Sequence, residues 1–422
     1  MRLVSMTTIS TAEQRAYEAN IWKSYAFQFL NSLQLFWPIW VLYLTDMRGF
    51  SLTQVSSLEA LFWVVVVFSE VPTGALADRF GRKASLMAAA ASTTVAILVF
   101  GLATNYWIVL ASYVVWGFGL TFQSGADSAL MFESLKAVGR ERDYQRVAGV
   151  SWGLFSLGTF GGMLAGAPIA AATNLSFPIL LGAVTTFLAL LVAATMKEPA
   201  VEHTERRLSY RQLVGESART AWRLPAVRTM IVLSAVLLAS TNAVIIFSQP
   251  FLDMHDVSVE MFGVAQSPIR LGGIVGAVAA YRMTAVFGMR PTLIVGAIVI
   301  AGSYAVLGAW DSVFAFAAMT PIVLISSMVV PVAADYLNVR IPNAQRATIL
   351  SIRQLISSIL IAGFQPCLGL LADHVGLEAV FFASAAFVVA TAPLAFFFWL
   401  RADRAEADGR KRAAELEATP AG

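Results

Sequence analysis

Cysteine and histidine are scarce in this chain, and their scarcity excludes two kinds of site. The single Cys367 cannot form an intramolecular disulfide, and three histidines spread over 422 residues do not match the spacing of a metal site. The sequence also lacks G-x-x-x-x-G-K-(S/T), H-E-x-x-H and a G-x-S-x-G on a plausible turn. We therefore expect no catalytic residues, no cofactor and no metal.

Charge is scarce as well: 13% of the residues are charged, whereas 58% are hydrophobic. This is more apolar surface than the core of a soluble protein of this length can bury, so we expect an integral membrane protein in a lipid bilayer. Residues 1–20 carry several charges and no apolar core, which argues against a cleaved signal peptide. The net charge of +3 reflects Lys and Arg residues in the loops between membrane spans, so no nucleic-acid partner is expected.

The apolar residues form twelve runs of the length that crosses a bilayer, about 20 residues each. We number them spans 1 to 12, and an all-α membrane fold follows from them. They lie near 24–44, 54–76, 84–104, 106–126, 147–170, 177–196, 229–250, 261–281, 291–310, 313–334, 347–371 and 378–400.

Basic residues fix the predicted orientation. With a cytoplasmic N-terminus, 26 of the 29 Lys and Arg residues fall in cytoplasmic segments, and only Arg48 falls in an outer loop. The remaining two, Arg270 and Arg353, lie inside spans 8 and 11. We therefore predict that both termini are cytoplasmic.

A long polar segment after span 6 divides the chain. We predict an N-terminal six-helix bundle at 1–196, a cytoplasmic linker at 197–228, a C-terminal six-helix bundle at 229–400 and a cytoplasmic tail at 401–422. Such symmetry is typical of transporters built from repeats. Apolar residues of the linker are compatible with an interfacial helix on an anionic leaflet, or with a solvated tether.

A short sequence motif is repeated in the two halves. The pattern G-x-L-A-D-x-x-G occurs at 74–81 and again at 369–376, in each case after a proline, Pro72 or Pro366. The predicted topology places the two copies on opposite faces of the membrane, as an inverted repeat requires. Coincidence in a chain rich in Ala, Leu and Gly is the alternative.

Residues 74–83, GALADRFGRK, match the signature G-x-L-A-D-R-x-G-R-K at every defined position. The chain therefore resembles the major facilitator superfamily, which implies two pseudo-symmetric six-helix bundles and a loop that locks the halves in the outward-facing state. The alternative is that the basic residues only anchor the topology. The predicted gating residues are Gly74, Asp78, Arg79, Gly81, Arg82 and Lys83.

Further motifs suggest the direction of transport. The preceding residues 70–73, EVPT, resemble a variant of bacterial drug exporters, and Gly153, Gly162 and Gly166 nearly match the antiporter signature of span 5. Span 4 lacks the arginine of the family's proton-antiporter signature. We expect proton-coupled efflux of an amphipathic compound by a monomer in a bacterial inner membrane. Uptake of an anionic metabolite, a lipid flippase and a non-transporting receptor are the alternatives.

Carboxylates inside membrane helices are costly unless they are paired or hydrated, which makes them functional candidates. We predict Glu59, Glu70 and Asp127 as proton-coupling residues. Glu59, Trp63 and Glu70 share one face of span 2 by helical periodicity. Glu70 has a second interpretation, as a structural partner of nearby arginines.

The resemblance also implies that spans 1, 4, 7 and 10 line the substrate cavity. Arg270, a permanent charge within span 8, requires water, an anionic substrate or a carboxylate such as Glu59. Near the cytoplasm we predict an ion-pair network of Asp127, Asp335, Arg346 and Arg353. The candidate cavity residues are Asn31, Gln34, Trp63, Trp116, Phe122, Asn242, Gln266 and Arg270.

Overall fold

A computed structural model of the protein describes residues 10–199, 210–342 and 345–418. Within these ranges every element of regular secondary structure is helical. Eleven of the described helices are long and apolar enough to cross a membrane. The predicted all-α membrane fold is therefore confirmed.

The helices of the first half follow the predicted spans. Short connections join them, and a second helix, Ala126–Ala137, continues span 4 toward the loop before span 5. The main helices of spans 1 to 6 are, in order, Thr11–Ser32, Leu52–Phe80, Arg82–Leu102, Tyr106–Gln123, Tyr144–Ala172 and Phe177–Thr195.

The second half repeats this arrangement after a linker helix, Tyr210–Arg223. Span 7 consists of two helices, Pro225–Ala239 and Asn242–Met254. Spans 8 to 12 are Phe262–Phe287, Met289–Ala309, Met319–Asn338, Arg346–His374 and Leu377–Ala418.

Two helices extend beyond the apolar runs that predicted them. Span 1 begins at Thr11, where Ser10 and Glu13 form a capping box: the Ser10 hydroxyl accepts from the backbone N–H of Glu13 at 3.2 Å. Span 12 continues to Ala418, through residues predicted as a tail. Hydrophobicity marks the membrane-embedded part of a helix, so it does not detect polar extensions.

Spans 1 and 7, predicted as continuous, are both interrupted. The first helix ends at Ser32, turns occupy 33–39, and a short helix with a π-helical turn follows at Trp40–Leu42 and Tyr43–Met47. In span 7 the break lies at Ser240 and Thr241. Interrupted helices at corresponding positions of two halves often mark the binding site of a transporter.

Glycines of span 5 allow the break in span 1 to pack closely. A Cβ atom at Gly162 would lie 3.1 Å from the backbone oxygen of Gln34, and one at Gly166 would overlap the carbonyl oxygen of Leu35. Gly153, the third glycine of the near-match in span 5, faces open space. Two of the three glycines thus have a packing role in this structure.

The chain separates into two compact units. The first comprises Met1–Phe50, Val64–Thr204 and Ser258–Ala265, and the second comprises Ser51–Trp63, Glu205–Val257 and Gln266–Gly422. The start of span 2 therefore belongs to the second unit. The division into bundles at 1–196 and 229–400 stays a prediction.

Candidate substrate site and gating loop

A chain of side-chain hydrogen bonds crosses the first unit. The Asn31 amide donates to Oε1 of Gln123 at 2.8 Å, and the Gln123 amide donates to Oε1 of Gln28 at 3.2 Å. The Gln28 amide then donates to Oδ2 of Asp127 at 2.6 Å. The chain thus links two polar residues of span 1 to the predicted carboxylate beyond span 4.

The backbone at Gly125 positions Asp127 for this contact. Gly125 has a φ of +77°, in the left-handed region that favours glycine, and it starts the helix Ala126–Ala137 in a new direction. Asp127 lies in the first turn of that helix, and its Oδ1 accepts from the backbone N–H of Ser128 at 2.7 Å. Both carboxylate oxygens are therefore hydrogen-bonded.

These groups line a cavity of about 540 Å³ in the first unit. Gln28, Gln123 and Asp127 provide polar groups, and Trp152 and Phe155 of span 5 provide aromatic surface. Glu70, a second predicted coupling residue, also lines this cavity. A largely apolar pocket with a few convergent polar groups is typical of a small-molecule site.

One end of the hydrogen-bond chain has an unused acceptor. Asn31 is buried, and its Oδ1 has no hydrogen-bond partner in the described part of the protein. Gln34, in the break of span 1, donates to the carbonyl of Asn31 at 3.4 Å. Since buried polar groups are normally paired, this oxygen is a candidate acceptor for a ligand, and Asn31 itself is not among the residues that line the 540 Å³ cavity.

Aromatic side chains follow the break in span 1. The ring of Trp116 lies 5.7 Å from that of Phe36 and 6.4 Å from that of Trp37, between ring centroids. Phe122, a predicted cavity residue, is half-buried, and its carbonyl accepts from the Ser85 hydroxyl at 2.7 Å. Trp116 and Phe122 do not line the 540 Å³ cavity.

The gating loop consists of a single residue between spans 2 and 3, Gly81, with a φ of +99°. Arg82 forms an ion pair with Asp78 at 2.7 Å and lies 3.8 Å from Glu133. The guanidinium of Arg79 lies over the ring of Phe80, 5.3 Å from its centroid. Gly74 faces open space, so it makes no close helix contact in this structure.

Glu198, which the sequence did not identify, contacts the start of span 3 directly after this loop. Its two carboxylate oxygens accept from the backbone N–H groups of Arg82 and Lys83, each at 2.7 Å. Glu198 thus caps span 3, while Asp78 pairs with Arg82. A carboxylate at a helix N-terminus is favoured by the unpaired N–H groups and the helix dipole.

In the second unit, polar side chains gather at the break of span 7. Tyr304 donates to the carbonyl of Ser240, and Thr241 donates to the hydroxyl of Ser326. Gln365 of span 11 donates to Oδ1 of Asn242 at 3.4 Å. Asn242, predicted as a cavity residue, is buried in this cluster.

Four other predicted residues, Glu59, Trp63, Gln266 and Arg270, belong to the second unit. Glu59 has a side-chain hydrogen bond with Trp63, one turn later. Gln266 is buried, whereas the Arg270 side chain is exposed. Glu59 forms no ion pair with any residue that the structure describes, so its predicted pairing with Arg270 is absent here.

Three members of the predicted cytoplasmic network, Asp335, Arg346 and Arg353, belong to the second unit, and the network with Asp127 stays a prediction. Arg353 is 7% exposed, and its Nε and Nη1 lack hydrogen-bond partners among the described residues. Asp335 lines a separate cavity of about 480 Å³ at the ends of spans 8 to 10. Arg346 is exposed, and within the described ranges it does not pair with Asp335 or Arg353.

A different ion-pair cluster occupies the end of the second unit. Asp403, in the extension of span 12, pairs with Arg290 at 2.7 Å and with Arg340 at 3.0 Å. The Tyr336 hydroxyl donates to Asp403 at 2.8 Å, and Arg340 also pairs with Glu406 at 3.3 Å. The extension of span 12 thereby contacts the start of span 9 and the end of span 10.

Comparison with known proteins decides the family. The sequence profile described as Major Facilitator Superfamily matches residues 25–363. The chain belongs to the Major Facilitator Superfamily. It is accordingly a membrane transporter of a small solute and not an enzyme.

A relative within the superfamily is the uncharacterised MFS-type transporter YxaM of Bacillus subtilis strain 168. It is 22% identical over 386 residues, which cover 86% of this chain and 92% of YxaM. The match thus extends over nearly the full length of both proteins.

Solved superfamily structures share the fold at low sequence identity. The nucleoside transporter NupG has a TM-score of 0.75 at 13% identity, covering 90% of this chain and 98% of NupG. A bacterial homolog to the human lysosomal transporter Spinster, in an inward-facing and unoccupied conformation, has a TM-score of 0.68 at 15% identity, covering 94% and 98%. These likenesses confirm the predicted fold.

Proposed function

We propose that this superfamily member is a proton-coupled transporter of a small amphipathic solute, with Asp127 as the coupling carboxylate. The observation that supports the proposal is the hydrogen-bond chain from Asn31 to Asp127, of which Gln28, Gln123 and Asp127 line the cavity of the first unit. The chain connects a titratable group in the cavity with an orphan acceptor beyond its lining. Glu70, which lines the same cavity, is the second candidate for the proton.

Protonation of Asp127 would change the hydrogen-bond chain. Its Oδ2 accepts from Gln28 and its Oδ1 from Ser128, so a proton on Oδ2 replaces an acceptor with a donor. The Gln28 amide would then have to turn, and Gln123 and Asn31 would follow. The change would reach the interrupted part of span 1, which is where a transporter can bend.

The lining of the cavity supports an amphipathic substrate. Trp152 and Phe155 line the cavity and can contact a planar or apolar group. The Asn31 acceptor, which is linked to the lining through Gln123, suits a hydrogen-bond donor such as an amine or hydroxyl. No charged basic residue is among those that line this cavity. The site therefore favours a neutral or cationic compound.

Efflux is the proposed direction, on the strength of residues 70–73 and the glycines of span 5. We place the protein in a bacterial inner membrane as a monomer, with both termini in the cytoplasm. The distribution of Lys and Arg among the loops supports this orientation.

Uptake of an anionic metabolite is a second candidate, favoured by one observation. Arg353 is buried, and its Nε and Nη1 have no hydrogen-bond partner in the described part of the chain, so an anion could pair with it. Since Arg353 lies outside the cavity of the first unit, the two candidates depend on different residues.

Proteoliposome transport tests the proposal. Purified protein would be assayed with neutral, cationic and anionic compounds, nucleosides included, with and without an imposed pH gradient. We expect concentrative transport of a neutral or cationic compound, and in Asp127→Asn the loss of concentration with exchange retained. The control Asp143→Asn removes a carboxylate from an exposed pair with Arg140 and should behave as the wild type. Concentrative transport by Asp127→Asn would contradict the assignment, and a response restricted to anions would favour uptake.

A further inference from the structure

Asp373, the last acidic residue of span 11, caps the helix of span 2. Its Oδ1 accepts from the backbone N–H of Leu52 at 2.9 Å, and its Oδ2 accepts from the backbone N–H of Thr53 at 2.9 Å. The Thr53 hydroxyl donates to the same Oδ2 at 2.5 Å. All of these residues belong to the second unit.

Gly369 brings the two helices close enough for this contact. A Cβ at Gly369 would lie 2.7 Å from the backbone oxygen of Leu52 and 2.9 Å from the hydroxyl of Ser56. Gly369 and Asp373 are four residues apart and share a helix face. The G-x-x-x-D spacing therefore combines a close approach with a cap one turn later.

The capped helix connects this contact with the gating loop. Span 2 runs as one helix from Leu52 to Phe80, and its other end carries Asp78 and the Gly81 turn. Each end of span 2 thus meets one copy of the G-x-L-A-D-x-x-G pattern: residues 74–81 at one end and 369–376 at the other. The pattern at 369–376, which no function described so far uses, has a structural explanation.

We propose that Asp373 is a positioning residue of the transport cycle that holds the start of span 2 against span 11 in one conformational state and releases it in the other. The proposal rests on transport by alternating access, in which segments of the first half move relative to the second. Span 2 is one helix that starts in the second unit and continues in the first, so movement of the whole helix with the first half would break its contact with span 11 once in each cycle. Because the acceptor is a carboxylate and the donors are unpaired N–H groups of a helix terminus, the contact is specific and reversible.

Distance measurements by electron paramagnetic resonance test this inference without a substrate. Full-length protein with Cys367→Ser would carry nitroxide labels at Trp107→Cys and Phe314→Cys, exposed residues at the predicted outer ends of spans 4 and 10. We expect the parent protein to populate a short-distance state. In Asp373→Ala the ratio of long-distance to short-distance molecules should rise about tenfold, the effect of losing a charge-assisted hydrogen bond.

Three further variants test how far the distance ratio depends on the contacts of Asp373. Asp373→Asn retains one acceptor oxygen, and Thr53→Val retains both backbone donors, so each should shift the ratio less than Asp373→Ala. Glu378→Gln, which removes an exposed carboxylate five residues away, should leave the distances unchanged. The thermal midpoint should stay within a few degrees of the parent in every variant.

An unchanged distance distribution in both Asp373→Ala and Asp373→Asn would overturn the inference. So would an equal shift in Glu378→Gln, or a shift that appears only with loss of folded protein. The readout requires neither the substrate nor the proton, so it is independent of whether Asp127 couples transport.

Discussion

The carboxylate of Glu198 caps the helix that carries Arg82, accepting from the backbone N–H of Arg82 at 2.7 Å. The contact joins residues 116 positions apart in the sequence. A Cβ at Gly81 would lie 2.7 Å from the Glu198 carboxyl, so the glycine of the loop both turns the chain and leaves room for the cap. The conformation of the predicted gating loop therefore depends on a residue beyond span 6.

Glu198→Ala should lower the thermal stability of the protein in detergent. Loss of a helix cap costs about 0.5–2 kcal/mol, because the N–H groups of Arg82 and Lys83 lose their acceptor. The measurement is the thermal midpoint followed by size-exclusion chromatography. Glu133→Gln is the control, since Glu133 lies 3.8 Å from Arg82 and caps no helix. Equal midpoints for Glu198→Ala and the wild type would show that the cap adds no stability.

Asp78→Asn should abolish most transport while the protein still inserts and folds. Asp78 is half exposed, and an exposed ion pair contributes about 1 kcal/mol or less, so stability should barely change. The exposed pair of Arg140 and Asp143 has the same 2.7 Å separation, which makes Asp143→Asn a matched control. Wild-type turnover by Asp78→Asn in proteoliposomes would remove the gating assignment.

Gly166→Ala should destabilise the protein, because a Cβ there overlaps the carbonyl oxygen of Leu35 in the break of span 1. Overpacking of this kind costs about 1–3 kcal/mol. Gly161→Ala is a control in the same helix, since a Cβ at Gly161 meets nothing within 4 Å. Thermal midpoints and expression of monodisperse protein give the comparison. A Gly166→Ala protein as stable as Gly161→Ala would mean that the break in span 1 is free to shift.

The sequence predicts the existence of the spans well, because lipid imposes a length and a composition on each helix. It predicts their interruptions poorly. The break at Ser240 and Thr241 coincides with three polar residues, 240–242, which are too few to divide the apolar run of span 7. Its partners Tyr304 and Ser326 lie on other spans, which the sequence does not reveal. Polar extensions such as the end of span 12 are missed for the opposite reason: they are helical without being apolar.

The candidate site shows the same limit. Asp127, Asn31 and Glu70 could be selected from the sequence, because polar groups inside spans are costly and therefore informative. Which partner each one meets depends on packing between helices: Gln28 reaches Asp127 across 99 residues. The ion pairs of Arg340 with Asp403 and Glu406 were likewise not predictable, because both carboxylates lie in the polar extension of span 12.

Arg353→Met should leave the thermal midpoint unchanged or raise it, because the arginine is buried and has two unpaired N–H positions. Replacing a buried charged group with an apolar one of similar volume is often neutral or stabilising. Arg340→Met is the contrasting variant, since Arg340 pairs with Asp403 at 3.0 Å and with Glu406 at 3.3 Å, and its loss leaves both carboxylates with fewer partners. We expect a lower midpoint for Arg340→Met only. A midpoint that falls as far in Arg353→Met as in Arg340→Met would show that Arg353 has a stabilising partner.

Transport by the same Arg353→Met protein separates the two candidate functions. Loss of transport confined to anionic compounds would support uptake of an anion. Unchanged transport of every compound would place Arg353 outside the substrate path.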